Sequence, residues 1–258
     1  MAQPRRVTPA DGLAWVTGAS SGIGRQVVLD LVDRGWTVLA TARNRDALGA
    51  LVAERPGRIV AVPSDITDAA GLAAALREAE GLAGRKVARA ILNAGTFRPD
   101  SAREFNLDRF QETVSTNLVG TANSLQAVMP GMIERRAGQI AIVSSVAGYG
   151  GLPTSISYGA TKAGLINMAE CLHVELQREG VDLRLVCPGF VKTPLTDKNT
   201  FKMPFLMPVE KAAKALCDGL DGGAFEISFP RVFTWQLKVL RLLPYRLYFA
   251  LVRSATKG

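Results

Sequence analysis

The chain has 258 residues, 48% of them hydrophobic and 21% charged, which is enough to bury one sizeable core and suits a single α/β domain better than two small ones. Its net charge of +8 is local: residues 227–258 contain no acid but hold Arg231, Lys238, Arg241, Arg246, Arg253 and Lys257. The remainder is nearly balanced, which argues against a nucleic-acid function for the protein as a whole.

Residues 13–17 predict a short buried strand, followed by a glycine turn and a helix over 24–34. Strands over 37–40, 59–62, 88–92, 139–143 and 182–186 then alternate with helices over 46–53, 69–80, 107–135 and 158–179. Apolar strands alternating with helices imply one α/β, doubly wound parallel sheet with helices on both faces. Ligands of such sheets sit beyond the C-terminal strand ends. The polar and glycine-rich stretches 17–24, 93–95, 144–145 and 188–193 fall at or just after those ends.

Within the first turn, Gly18, Ser20, Ser21, Gly22, Ile23 and Gly24 combine tight backbone with a helix N-terminus, a pattern that fits the pyrophosphate of a dinucleotide. On the helix over 158–179, Tyr158 and Lys162 are four residues apart and share a face. An ammonium beside a phenol favours the phenolate and suits it to general acid/base work, and Ser145 stands thirteen residues earlier with a hydroxyl for the reacting oxygen. Alone, such a pair is commonplace on solvated helix faces. Asn117 lies inside a helical stretch, where asparagine is unfavourable and signals irregular backbone.

Cys171, Cys187 and Cys217 lack paired spacing and His173 is the single histidine, so neither a disulfide framework nor a metal site is expected. The cysteines fit a reducing, cytoplasmic setting. Arg5 and Arg6 precede no apolar stretch, which argues against a secretory signal, and no apolar run is long enough for an ordinary membrane span.

Together, the glycine turn at 17–24, Leu92-Asn93-Ala94-Gly95, Asn117, Ser145, Tyr158 with Lys162, and Pro188 to Thr193 resemble the short-chain dehydrogenase/reductase family in order and spacing over roughly residues 10–195. The resemblance implies a Rossmann-like fold and an NAD(P)-dependent enzyme acting on CH–OH groups. Its site would be Ser145, Tyr158, Lys162 and Asn117: Tyr158 as proton carrier, Lys162 lowering its pKa and holding the nicotinamide ribose, Ser145 positioning the carbonyl, and Asn117 holding a water. Asp65 and the neighbouring Ile66 would lie at the adenine, Asn93, Ala94 and Gly95 at its ribose. Val191 and Thr193 would meet the carboxamide, with Pro188 and Gly189 shaping their turn. Where NAD-using relatives carry an acid, this chain has Ala42 followed by Arg43, so NADP(H) is expected over NAD(H). A homodimer or homotetramer through the helices bearing Asn117 and Tyr158 is implied by the resemblance alone.

Residues 1–230 form the expected catalytic and cofactor-binding unit, with a substrate lid near 194–210 rich in Phe201, Met203, Phe205, Leu206 and Met207. So apolar a lid suits a hydrophobic carbonyl or alcohol. After a last strand over 225–229, residues 231–258 form a basic amphipathic extension with helices over 232–243 and 245–252 around Pro244. It is open to three readings: peripheral membrane contact, a cover for the pocket, or a subunit interface. The leading function is a carbonyl/alcohol oxidoreductase. Its alternatives are a 3-oxoacyl-thioester reductase of lipid metabolism and a catalytically silent NADP-binding regulator.

Overall fold

Side chains alternate across each strand, so Leu13 and Trp15 face one layer while Ala14 and Val16 face the other. This two-sided burial produces a central sheet, seen in a computed structural model that describes residues 4–198 and 203–255. Its strands are β1 (Leu13–Thr17), β2 (Val38–Ala42), β3 (Ile59–Pro63), β4 (Val87–Leu92), β5 (Gly138–Val143), β6 (Val181–Pro188) and β7 (Glu226–Phe229). They lie in the order β3-β2-β1-β4-β5-β6-β7, and every neighbouring pair is parallel.

Helices α1 (Gly22–Asp33), α2 (Arg45–Glu54) and α7 (Val209–Leu220) contribute to the core on one face. Helices α3 (Ala69–Ala83), α5 (Gly120–Glu134) and α6 (Ile156–Arg178) contribute to the other. Helix α4 (Leu107–Val114) packs beside α6. Two further helices, α8 (Arg231–Arg241) and α9 (Tyr245–Ala255), follow β7. The expected doubly wound sheet is therefore present. Its strand order reverses at β1, whose neighbours are β2 and β4, and that is where such sheets open a crevice.

Three local features differ from expectation. The stretch read as one helix over 107–135 is divided by a π-helical turn at Ser115–Val119, which contains Asn117. Helix α6 begins at Ile156, two residues before Tyr158. Helix α7 was not expected, although Ala212, Ala213, Leu216, Cys217 and Leu220 are all buried along it at helical spacing. Of the apolar lid residues, Phe201 lies outside the described residues.

Candidate active site

The β1–α1 turn is held at glycine positions that admit no side chain. Gly18 has φ +69°, and a Cβ on Gly24 would lie 2.2 Å from the Gly18 carbonyl oxygen. Ser21 occupies the N-cap of α1 but its side chain closes no hydrogen bond there, and the first turn has no acid. Helices α2, α3 and α4 are each closed by their own N-cap side chains, Asn44, Asp68 and Asn106. The first-turn N–H donors of α1 thus lack the side-chain partner those helices have, which suits an anionic ligand.

A cleft of about 320 Å³ runs from this turn across the strand ends. Gly18, Ser20, Ser21, Gly22, Ile23, Arg43, Asp65, Ile66, Asn93, Ala94, Gly95 and Thr193 all line it. Thr41, Ser64 and Thr116 join them without having been singled out by sequence, as do Pro194 and Leu195 from the start of the expected lid. Gly24, Pro188 and Val191 do not line it; Gly24 packs against the turn, and the Val191 carbonyl accepts from Thr196 Oγ1 at 2.6 Å. Asn93 and Ala94 donate their backbone N–H groups to Thr17 Oγ1 at 3.0 and 3.1 Å, locking β1 to the end of β4.

At the far end of β2, Ala42 is buried and the exposed Arg43 guanidinium approaches Asp65 at 3.7 Å. Burial raises the Asp65 pKa, but bonds from Thr67 and the Arg43 charge outweigh it and hold the carboxyl below its ordinary value. Asp65 closes a local turn to Thr67 rather than capping α3, which Asp68 does.

Ser145, Tyr158, Lys162 and Asn117 converge beyond β5. Ser145 Oγ accepts from the Ala147 amide at 3.1 Å and reaches the Pro188 carbonyl at 3.4 Å. Ser144 is instead turned to the backbone oxygen of Lys162 at 2.8 Å. Lys162 Nζ donates to the Val143 carbonyl at 2.9 Å and lies 5.5 Å from the Tyr158 ring centroid. The Asn117 amide makes three hydrogen bonds: it accepts from Thr96 N at 2.7 Å and donates to the Thr96 carbonyl and Thr161 Oγ1.

Electrostatics here depart from the simple expectation of a cation-depressed phenol. Burial pushes the Tyr158 phenol up to about 12, partly offset by its hydrogen bond with Ser145. Burial likewise pushes Lys162 down to about 8. The physical reason is desolvation of both groups, with the ammonium turned to a backbone carbonyl rather than to the phenol oxygen.

Tyr158 and Ser145 open onto a second cavity of about 110 Å³, which shares Leu195 with the first. Its walls include Phe97, Val146, Leu152, Phe190 and Phe233. Phe97 meets the Tyr158 ring edge-on at 5.1 Å, Phe190 stacks on Phe233 at 5.6 Å, and Phe205 meets Phe233 at a tilt at 5.7 Å. Sequence reading singled out neither Phe97, Phe190 nor Phe233; they come from three distant segments and carry no spacing that links them.

Phe233 belongs to α8, so the C-terminal extension forms part of the pocket wall. Lys238 of α8 pairs with Glu226, which also accepts from Tyr149. Tyr248 of α9 donates to the Gly151 carbonyl at 2.7 Å, on the loop that supplies Leu152.

An open parallel sheet, a strand-order reversal and an unclosed helix N-terminus beneath a glycine turn define a doubly wound nucleotide-binding protein. A family model described as short chain dehydrogenase matches residues 13–203. The chain belongs to the short-chain dehydrogenase family, whose members are oxidoreductases acting on CH–OH or carbonyl groups. An uncharacterized oxidoreductase of Myxococcus xanthus is 38% identical over 247 residues, 93% of this chain and 96% of the relative. A 3-oxoacyl-acyl-carrier-protein reductase of Staphylococcus aureus is 33% identical over 188 residues, 71% of this chain and 76% of the relative. A short chain dehydrogenase of Burkholderia cenocepacia, crystallised with NADP, superposes with a TM-score of 0.82 at 25% identity, over 95% of this chain and 99% of that one.

Proposed function

We propose that this protein is an NADP(H)-dependent oxidoreductase that interconverts a hydrophobic carbonyl compound and its alcohol, with Tyr158 as general acid/base. The observation that carries this reading is the meeting of two cavities at Leu195. One is lined by glycine-rich backbone, Arg43 and Asp65, and the other is largely apolar with Tyr158 and Ser145 on its wall.

A nicotinamide dinucleotide bound in the larger cleft supplies or receives the hydride. Everything else falls to the chain. The α1 N-terminus and Ser20 hold the pyrophosphate, Thr193 and the turn from Pro188 through Gly189 to Val191 orient the nicotinamide end, and Asn93 to Gly95 flank the adenine ribose. Ser145 Oγ holds the carbonyl oxygen, the Tyr158 hydroxyl gives it a proton during reduction, and the reverse path returns the proton to Tyr158. Lys162 steadies the neighbouring ribose, and Asn117 fixes the loop at Thr96 and links the lysine to solvent. The apolar segment 194–210 serves as the lid.

Preference for NADP(H) rests on Ala42 and Arg43. The fold itself takes either cofactor, since a 3-oxoacyl reductase of Brucella melitensis with bound NAD, 26% identical, also superposes with a TM-score of 0.75. Ala42→Asp should shift the NADP/NAD preference toward NAD and Arg43→Ala should weaken NADPH by roughly tenfold, the worth of one charge-assisted phosphate contact. Unchanged ratios of kcat/KM for both variants would refute the preference.

Reduction of a 3-oxoacyl thioester is the second reading, favoured by the Staphylococcus aureus relative. That match covers 71% of this chain, whereas the Myxococcus xanthus match covers 93% and must include part of the C-terminal extension. Assembly through α5 and α6 belongs to the leading reading and is supported by an apolar cleft between them lined by Met129, Met168 and Leu172. Sedimentation velocity tests it. The function is tested by NADPH oxidation across ketones, aldehydes and oxoacyl thioesters, with alcohols tried in reverse. Activity confined to thioesters favours the second reading, and cofactor binding without any turnover would leave a silent regulator.

A further inference from the structure

Half of the large hydrophobic side chains exposed among the described residues lie between Val232 and Leu251. They are ordered by helical spacing. Val232, Trp235, Val239 and Leu242 follow one stripe along α8 with Leu251 of α9 beside it, and Tyr245 and Phe249 form a further exposed pair on α9; Trp235 is 67% exposed and Leu242 84%. A patch of this size on a soluble fold marks a contact surface. Opposite faces of the same helices are committed inward through Phe233, Thr234, Tyr248 and Val252.

Charge indicates what the outer face meets. The segment carries no acid, and although Lys238 is held by Glu226 and Arg241 lies over the Tyr245 ring, Arg231, Arg246 and Arg253 are exposed on the same two helices as the apolar residues. No helix among the described residues is long and apolar enough to cross a membrane. An apolar stripe with exposed arginines on the same two short helices complements anionic headgroups above acyl chains. Basic charge also disfavours a second copy of the same surface, since the arginines would face one another.

We infer that the outer face of α8 and α9 rests on an anionic phospholipid surface, and that the substrate of the adjoining pocket is a carbonyl or alcohol that partitions into that bilayer. The second half rests on the carbonyl-reductase reading above. One helix joins the two surfaces: Phe233 is on the pocket wall while its neighbours Val232 and Trp235 face outward. Phe205 and Leu206, half-exposed on the lid and in ring contact with Phe233 through Phe205, extend the apolar area to the pocket rim.

The test uses the full chain. Vesicles of phosphatidylglycerol and phosphatidylcholine should float the protein, phosphatidylcholine alone should not, and the partition coefficient should fall about tenfold as salt rises from roughly 0.05 to 0.5 M. The double variant Trp235→Glu, Leu242→Glu should lose flotation and keep the wild-type rate on a water-soluble ketone. It should also lose at least about tenfold on a long-chain ketone supplied in anionic vesicles, the loss in partition carried into rate. Failure of the wild-type protein to float on anionic vesicles overturns the surface assignment. So does a larger lipid-free assembly that the double variant dissociates, which would make the face a subunit contact. Flotation with no rate advantage for the vesicle-held ketone overturns the substrate half. If no carbonyl is reduced at all while salt-sensitive flotation persists, the surface stands and the catalytic reading is what fails.

Discussion

Lys162 is buried and Tyr158 half-buried on a cavity wall, and each is shifted toward its neutral form, the phenol up to about 12 and the ammonium down to about 8. The consequence for pH has a definite sign. The phenol stays protonated through the ordinary range, whereas the lysine loses its proton as pH rises through about 8. Carbonyl reduction that needs the cation should therefore be flat below that value and decline above it in a kcat/KM profile. Residual activity of Lys162→Arg should lack the decline, because arginine stays charged. Tyr158→Phe keeps the ring and its contact with Phe97 but removes the proton. Turnover should fall by about 10²–10⁴-fold with cofactor affinity unchanged by fluorescence titration, and wild-type turnover would refute the acid/base role. At this scale the grouping was legible in the sequence, since Ser145, Tyr158, Lys162 and Asn117 lie together beyond β5. What spacing could not give was the sign of the phenol shift, which depends on burial from other segments and on Val143 claiming the ammonium.

Among elements, the start of α6 decides where Tyr158 points. Asp100, from the loop after β4, accepts from the backbone N–H groups of Ile156 and Ser157 at 2.7 and 2.8 Å and from the Ser157 hydroxyl. Its removal leaves these partly buried donors unpaired one residue from Tyr158. Asp100→Ala should destabilise the protein by about 2–3 kcal/mol in urea unfolding, and should lower kcat more than it raises KM; Asp100→Asn should recover part of both. No motif at Asp100 announces this, because its partners are more than fifty residues away in sequence. Helix α7 is a different case. Pro208 at its N-cap, Glu210 in its first turn and the buried spacing from Ala212 to Leu220 were all present as helix signals. They follow directly on the apolar stretch Met203 to Met207, whose run of hydrophobic residues has no helical period and obscures the start.

For the whole molecule, the C-terminal extension contributes Phe233 to the wall of the apolar cavity. Chains ending at Pro230 should bind NADPH as the full chain does, because no residue of α8 or α9 lines the larger cleft. Their KM for a hydrophobic ketone should rise by roughly tenfold, the loss expected when one aromatic wall is removed from an apolar pocket. Phe233→Ala should show the same selective effect with the helices intact, and an equal loss for both ligands in both variants would refute the division of labour. The doubly wound architecture was readable from alternating apolar strands and helices alone. The pocket was not, since Phe97, Phe190 and Phe233 meet only once the sheet has brought β4, β6 and β7 alongside β5.

The π turn at Ser115–Val119 has a consequence for how this site can change. A π turn accommodates one residue more than regular α-helical closure would. Removing a single residue there would close the wide turn and allow one unbroken helix from α4 into α5, with the flanking turns kept in phase. Asn117 would then lose its three bonds to Thr96 and Thr161 together. Three nucleotides thus separate a site with a bracing amide from a smoother helix without one. The arrangement can be gained or lost in one step, but not worn away by degrees.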